Sequence, residues 1–401
     1  MQRICQKTPG IYYALFQYFW LLVLLPKVVQ LVALAAIAMY MLIRNGKEKP
    51  LDAFTVLQMI FLLIYGCAIG INALRGGHEM SRIFAAVNTW SITAVALIFY
   101  HLYRNVSIDL KRIGKYSLIN LLILVGLWLV YRVVGMRMNP SILGRTLHGD
   151  DWVGGVYTIR FLGFMDYANL LVFAVLLLYP MALYFLKGKP ILSGVLTVVL
   201  FPVVSATNSR SGILLYLIVL AAYGLFWLQK AFFYFYRRNK IVLFVILIAG
   251  ILGGGVLLWD KIAGVIQSFL SMREGSNGMR TLIYSTSIQT MLENSPIIGI
   301  GIKDMLEYGF PLGSHSTYIG VFYKAGILGG LIYIVSLGVL IWRYFMGRDK
   351  NRFAMLVKVC LVAVFGLMAL EDVDGANWCI CLTYAIFAIP ENVEKTETEQ
   401  L

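Results

Sequence analysis

Apolar runs recur along the whole chain, and no other feature constrains it as tightly. Leu118–Val130, Leu170–Leu178 and Ile241–Leu258 pass without a charged residue, and the longer runs approach the ~20 residues that cross a bilayer's hydrocarbon. Hydrophobic residues make up 60% of the 401 positions and charged residues 13%, against about 45–50% and about 25% in soluble domains. No soluble core absorbs that excess, whereas lipid does. The fold class expected is therefore all-α, a polytopic transmembrane helical bundle. It forms a single transmembrane domain over residues 1–390, followed by a disordered, acidic cytoplasmic tail, 391–401.

Hydropathy marks about twelve spans: 11–25, 28–43, 51–74, 83–103, 117–134, 167–186, 191–206, 212–228, 241–258, 317–342, 353–370 and 378–390. The first follows Arg3 and Lys7 as a signal peptide would. Pro26-Lys27 and another apolar run come directly after it, with no small-residue cleavage site, so it reads as a retained span ending at Pro26. With both termini cytoplasmic, twenty of the 34 Lys and Arg fall on inner segments and thirteen on outer ones, with Lys358 inside a span. Short inner loops rich in cations satisfy the positive-inside rule.

The net charge of +14 does not mark a nucleic-acid binder, because Lys and Arg are dispersed in short clusters between apolar runs. The kind of cation differs by side. Nine of the thirteen outer cations are Arg, against nine of the twenty inner ones. Topology requires only charge, while a planar, bidentate grip on phosphate favours Arg. The five cysteines show neither disulfide nor zinc spacing.

Candidate chemistry gathers at the expected outer boundary. Ser209 and Arg210 lie in the polar break Ser205–Gly212, with Arg210 at the start of the eighth span, where helix N-terminal amides attract anions. Arg280 follows Gly275-Ser276-Asn277-Gly278 and opens a helical stretch from Thr281 to Glu293. Arg160 precedes the sixth span, with Asn169 beyond it, and His315 and Tyr318 open the tenth. An imidazole titrating near 6.5 accepts a proton at neutral pH. Two outer loops are long enough for structure of their own, 135–166 and 259–316. The second begins with Trp259, Ile262, Ile266, Phe269 and Leu270 at the spacing of an amphipathic interfacial helix. No Walker loop or acidic metal pair stands out, and Gly299-Ile300-Gly301 reads as a turn after Pro296. His148, Glu371 and Asp372 take no role at this stage.

Taken in order, Arg160 with Gly163, Phe164 and Asn169, the Ser209-Arg210-Ser211-Gly212 break, Arg280 leading to Asn294–Gly301, and His315–Tyr318 followed by Gly326–Gly329 form a set. The set resembles the bacterial O-antigen polymerase and O-antigen ligase family of membrane glycosyltransferases. Ser211 and Tyr284 depart from it, standing where glycine and tryptophan are common. The resemblance implies metal-independent transfer, without a cofactor, of an oligosaccharide from undecaprenyl pyrophosphate to an acceptor glycan at the outer face of the bacterial inner membrane. Arg210 and Arg280 would hold the pyrophosphate, with Arg160, Ser209 and Tyr318 helping to bind the donor, and His315 would take the acceptor proton. Membrane lipid and other polysaccharide assembly proteins are the further partners implied, and nucleic acid is not.

Polymerisation of O-antigen, capsule or exopolysaccharide repeats is the leading expectation, with ligation to lipid A core or another acceptor as the alternative. A lipid-linked glycan flippase or secondary transporter would instead place ionisable groups at mid-membrane and show related halves.

Overall fold

The computed structural model describes residues 10–44, 50–106, 108–135, 138–153, 156–237, 241–257, 274–306, 309–346 and 352–389. The interfacial helix expected from Trp259 and the acidic tail both lie outside these residues. A 3-10 turn, Gly10–Tyr13, leads into α1 (Ala14–Gln17) and α2 (Phe19–Leu24). Next come α3 (Lys27–Arg44), α4 (Ala53–Arg75), α5 (Met80–Asn105) and α6 (Leu110–Val134). Two antiparallel hairpins follow, β1 (Ser141–Ile142) with β2 (Arg145–Thr146), and β3 (His148–Val153) with β4 (Val156–Phe161). The remaining helices are α7 (Ala168–Phe185), α8 (Pro190–Ser205), α9 (Arg210–Arg237), α10 (Ile241–Leu257), α11 (Glu274–Asn294), α12 (Thr317–Met346), α13 (Arg352–Leu370) and α14 (Asn377–Phe387).

Among the described residues, seven helices are long and apolar enough to cross a membrane: α3, α4, α5, α6, α7, α9 and α12. The apolar helices α8, α10, α13 and α14 are shorter in their qualifying stretches. The chain is a multi-pass membrane protein, mostly helical, and the hairpins qualify the all-α expectation. They form where β-branched and aromatic residues cluster, at Val156-Tyr157-Thr158-Ile159.

The expected first span is not one helix. It breaks at Tyr18, and side chains from other helices reach its carbonyls, Tyr103 to that of Tyr12 and Asn120 to that of Phe16. A carbonyl diverted to a neighbour no longer needs its own helix.

α7 is buried around its whole circumference and forms the centre of the bundle, as an evenly apolar helix must. α6 and α13 pack against α7, α4 against α12, α5 against α14, and α9 against α13. At one end Asp52 caps α4 through the Thr55 amide at 2.9 Å and accepts from Arg343 at 2.5 Å and Tyr100 at 2.8 Å. Asp109 caps α6 at the same end. The opposite end carries the hairpins, the Ser205–Ser209 break and the turn between α13 and α14.

Candidate active site

That turn, Glu371-Asp372-Val373-Asp374, is the hub of the hairpin end. The Glu371 carbonyl accepts from both the amide (3.1 Å) and the hydroxyl (2.9 Å) of Thr317, fixing the start of α12. Its carboxylate pairs with Arg280 at 2.6 Å, and Arg280 also donates to the Leu370 carbonyl at 3.0 Å. Arg280 therefore lies well inside α11, which begins at Glu274 rather than at Thr281. The glycines at 275 and 278 are poor helix formers, so sequence alone starts the helix too late.

α11 presents one face to the loop before α12. Tyr284, one turn beyond Arg280, donates to the His315 carbonyl at 2.6 Å, and Ser287 accepts from the Gly313 amide at 2.8 Å. The tyrosine that departs from the resembled pattern thus has a structural task. His315 adopts φ +61°, a left-handed conformation that costs a non-glycine residue roughly 1 kcal/mol or more. The Tyr284 bond helps to hold it there. The imidazole is half-buried and stands 6.0 Å from the Phe310 ring, centre to centre. Burial pushes its pKa below the ordinary value. Glu371 and Asp372 pull it up, Arg280 and Lys303 push it down, and the net direction is down. The ring is neutral at pH 7 and able to accept a proton.

Arg160 reaches the same end from β4. Its Nε donates to the Thr207 carbonyl at 2.8 Å and its guanidinium to Asn169 at 3.1 Å, while the Phe161 amide donates to the Ala206 carbonyl at 2.9 Å. The hairpin is thereby fastened to the break that precedes Arg210. Ser209 caps α9, accepting from the Gly212 amide at 3.2 Å. Asn208 before it has φ +50°. A Cβ on Gly212 would stand 2.6 Å from Val172, so the first turn of α9 lies directly on α7. One on Gly366 would stand 3.2 Å from Leu215. The start of α9, with Arg210, therefore runs beside the end of α13, where Arg280 is bound. Tyr318 donates to the Phe365 carbonyl at 3.0 Å, joining α12 to α13.

On its other side the turn binds lysines. Lys303 contacts Asp372 at 2.5 Å and Asp374 at 3.1 Å, and Lys324 pairs with Asp374. Burial disfavours every charge here. Lys303 is nevertheless held above its ordinary range by the two aspartates, and Asp374 below the carboxylate range by Lys324 and Lys303. Asp372, buried beside Asp374, is pushed up. Tyr167, just before α7, donates to the Asp372 carbonyl, so the turn links the Arg160–Asn169 side to the Arg280–His315 side.

Sequence does not single out Asp374, Lys303, Lys324 or Tyr167, and gives Glu371 and Asp372 no role. The available signal was electrostatic. Three carboxylates in four residues, at the boundary where the arginines gather, call for cationic partners. His148 is buried in the hairpin, its ring 5.9 Å from that of Tyr131.

The segment after α11 explains a second set of residues. Gly299 (φ +79°) and Gly326 (φ +65°) touch backbone to backbone, and a Cβ on Gly299 would stand 2.3 Å from the Gly326 amide nitrogen. Gly326 breaks α12. Pro296 and Ile297 carbonyls accept from Ile327 and Leu328 in the break, and the Ile300 amide donates to Tyr323. The turn expected after Pro296 is in effect a strap inserted into a broken helix.

Comparison with known families gives one match: residues 195–334 fit the family model described as O-Antigen ligase (Wzy_C). No curated protein matches the chain. The matched segment contains Ser209, Arg210, Arg280, His315 and Tyr318. Arg160 and the 371–374 turn lie outside it.

Proposed function

We propose, from the match of residues 195–334 to the O-antigen ligase family model, that the chain is a metal-independent glycosyltransferase. It moves an undecaprenyl-pyrophosphate-linked oligosaccharide onto an acceptor sugar at the outer face of the bacterial inner membrane, extending repeat units of a surface polysaccharide. The hairpin end of the bundle is the outer end. One set of contacts supports this reading: Glu371 holds Arg280, Tyr284 on the same helix holds the His315 carbonyl, Arg160 is fastened to the break before Arg210, and the start of α9 runs beside the end of α13.

In the reaction, the bond between the donor's anomeric carbon and the pyrophosphate oxygen breaks, and its electron pair leaves with the diphosphate. The acceptor hydroxyl oxygen forms the new bond to that carbon, and its proton passes to neutral His315. Charge grows on the diphosphate as the bond breaks, so guanidinium groups already in place favour the transition state over the ground state. Glu371 and the Leu370 carbonyl hold Arg280 in position before the donor arrives. Ser209 and Tyr318 act through the elements they fasten, Ser209 by keeping the start of α9 ordered.

Purified protein in liposomes, supplied with polyprenyl-diphosphate-linked repeat units, tests the reading. Arg210→Ala and Arg280→Ala should each slow chain extension by about 100-fold or more. Extension at the parental rate in both variants would sink it. Because the matched model is described as a ligase, the product also decides between acceptors. Longer glycans on the polyprenyl carrier indicate polymerisation, and glycan appearing on a different lipid indicates ligation.

A further inference from the structure

A cavity of about 420 Å³ opens beside the 371–374 turn, on the side away from Arg280. Lys27, the first residue of α3, and Arg82, in the first turn of α5, line its mouth together with Val28 and Phe84. Val28 is 69% exposed and Phe84 67%. Large apolar side chains left open at the ends of spanning helices face lipid, so the cavity opens toward the membrane. Its inner wall includes Asn88, Lys303 and Asp372.

The two regions differ in charge balance. On the inner wall Lys303 is matched by Asp372 and Asp374. At the mouth neither Lys27 nor Arg82 has a carboxylate partner among the described residues, and nearby Glu79 accepts from Ser81 at 3.1 Å. Two unmatched cations beside lipid-facing apolar residues favour a phosphate carried by a lipid. The amides, amines and carboxylates behind them suit hydroxyl groups.

The inner wall also adjoins the His315 loop. The Lys303 amine stands 3.8 Å from where a Cβ on Gly320 would be, and the Gly313 carbonyl stands 2.6 Å from that same point.

We propose that this cavity is a second lipid-phosphate site, which receives the acceptor as a membrane-anchored phosphoglycolipid, with phosphate on Lys27 and Arg82 and sugar directed inward past Lys303 and Asp372. The proposal rests on the glycosyltransferase reading for its catalytic meaning, while the binding itself does not.

The test uses the full chain in phosphatidylcholine nanodiscs, with Phe84 replaced by the photoreactive p-benzoylphenylalanine and geranylgeranyl diphosphate as the probe. Crosslinking should fall about tenfold in a Lys27→Ala, Arg82→Ala double variant and persist in an Arg210→Ala variant. Labelling that ignores the double variant, or that disappears with Arg210→Ala, overturns the proposal. Two competitors then separate the sources of phosphate. A phosphorylated glucosamine lipid or a polyprenyl-linked sugar should displace the probe at lower concentration than phosphatidylglycerol does. Equal displacement by phosphatidylglycerol reduces the cavity to a general headgroup groove and also overturns it. In the transfer assay the double variant should raise KM for the acceptor about tenfold and leave KM for the donor unchanged, and a change confined to the donor contradicts the assignment. Should the parent transfer no sugar while crosslinking behaves as described, the enzymatic reading falls and the lipid-phosphate site stands.

Discussion

An imidazole can serve as a base only while it stays neutral, and at His315 burial, with Arg280 and Lys303 nearby, outweighs the opposing pull of Glu371 and Asp372. Because its pKa is lowered from the ordinary value near 6.5, the base form persists as pH falls through neutrality and is lost only below that value. The acid limb of the transfer rate should therefore lie below about pH 6.5. His315→Ala should slow transfer by about 100-fold or more and abolish that limb. A profile that keeps the limb in the variant would remove His315 from the chemistry. His315 is legible in the sequence as a histidine on the same expected face as three arginines. Its left-handed backbone was not legible, because it depends on a bond from Tyr284, thirty-one positions away.

Among the elements, the broken helix α12 is the clearest case of structure set by close backbone approach. A Cβ on Gly326 would stand 2.3 Å from the Ile297 carbonyl oxygen, at a positive φ. Gly326→Ala should cost about 3 kcal/mol or more, read as a lower unfolding midpoint in detergent. Gly338→Ala in the same helix, where the added methyl meets nothing within 4 Å, should be neutral or slightly stabilising, since alanine is the better helix former. A similar loss in both variants would show that helix propensity rather than the strap sets the effect. Hydropathy placed this helix well but carried no information about the break, since Gly326 is one glycine among several in an apolar run.

At the scale of the whole molecule the two ends of the bundle divide the polar groups. Asp52, Arg104 and Arg343 meet at one end, at 2.5 Å for Arg343–Asp52 and 3.8 Å for Arg104–Asp52. The acidic turn and its cations meet at the other. From the positive-inside pattern the second end is expected to lie outside. In cells carrying Cys67→Ala, a membrane-impermeant maleimide should label Asp150→Cys on the hairpin and leave Lys111→Cys at the opposite end unlabelled. The reverse pattern would invert the orientation and remove the site from the face where lipid-linked glycans are extended.

The sequence by itself determined that the chain lives in a bilayer and where most of its helices run. These are properties of contiguous windows, because transfer into lipid is decided stretch by stretch. Only the tertiary structure decided that Glu371 would hold Arg280, that Asp372 and Asp374 would hold Lys303 and Lys324, and that a hairpin would brace the break before Arg210. A buried charge needs a partner within a few ångströms, and packing alone brings residues so far apart in the chain to that distance.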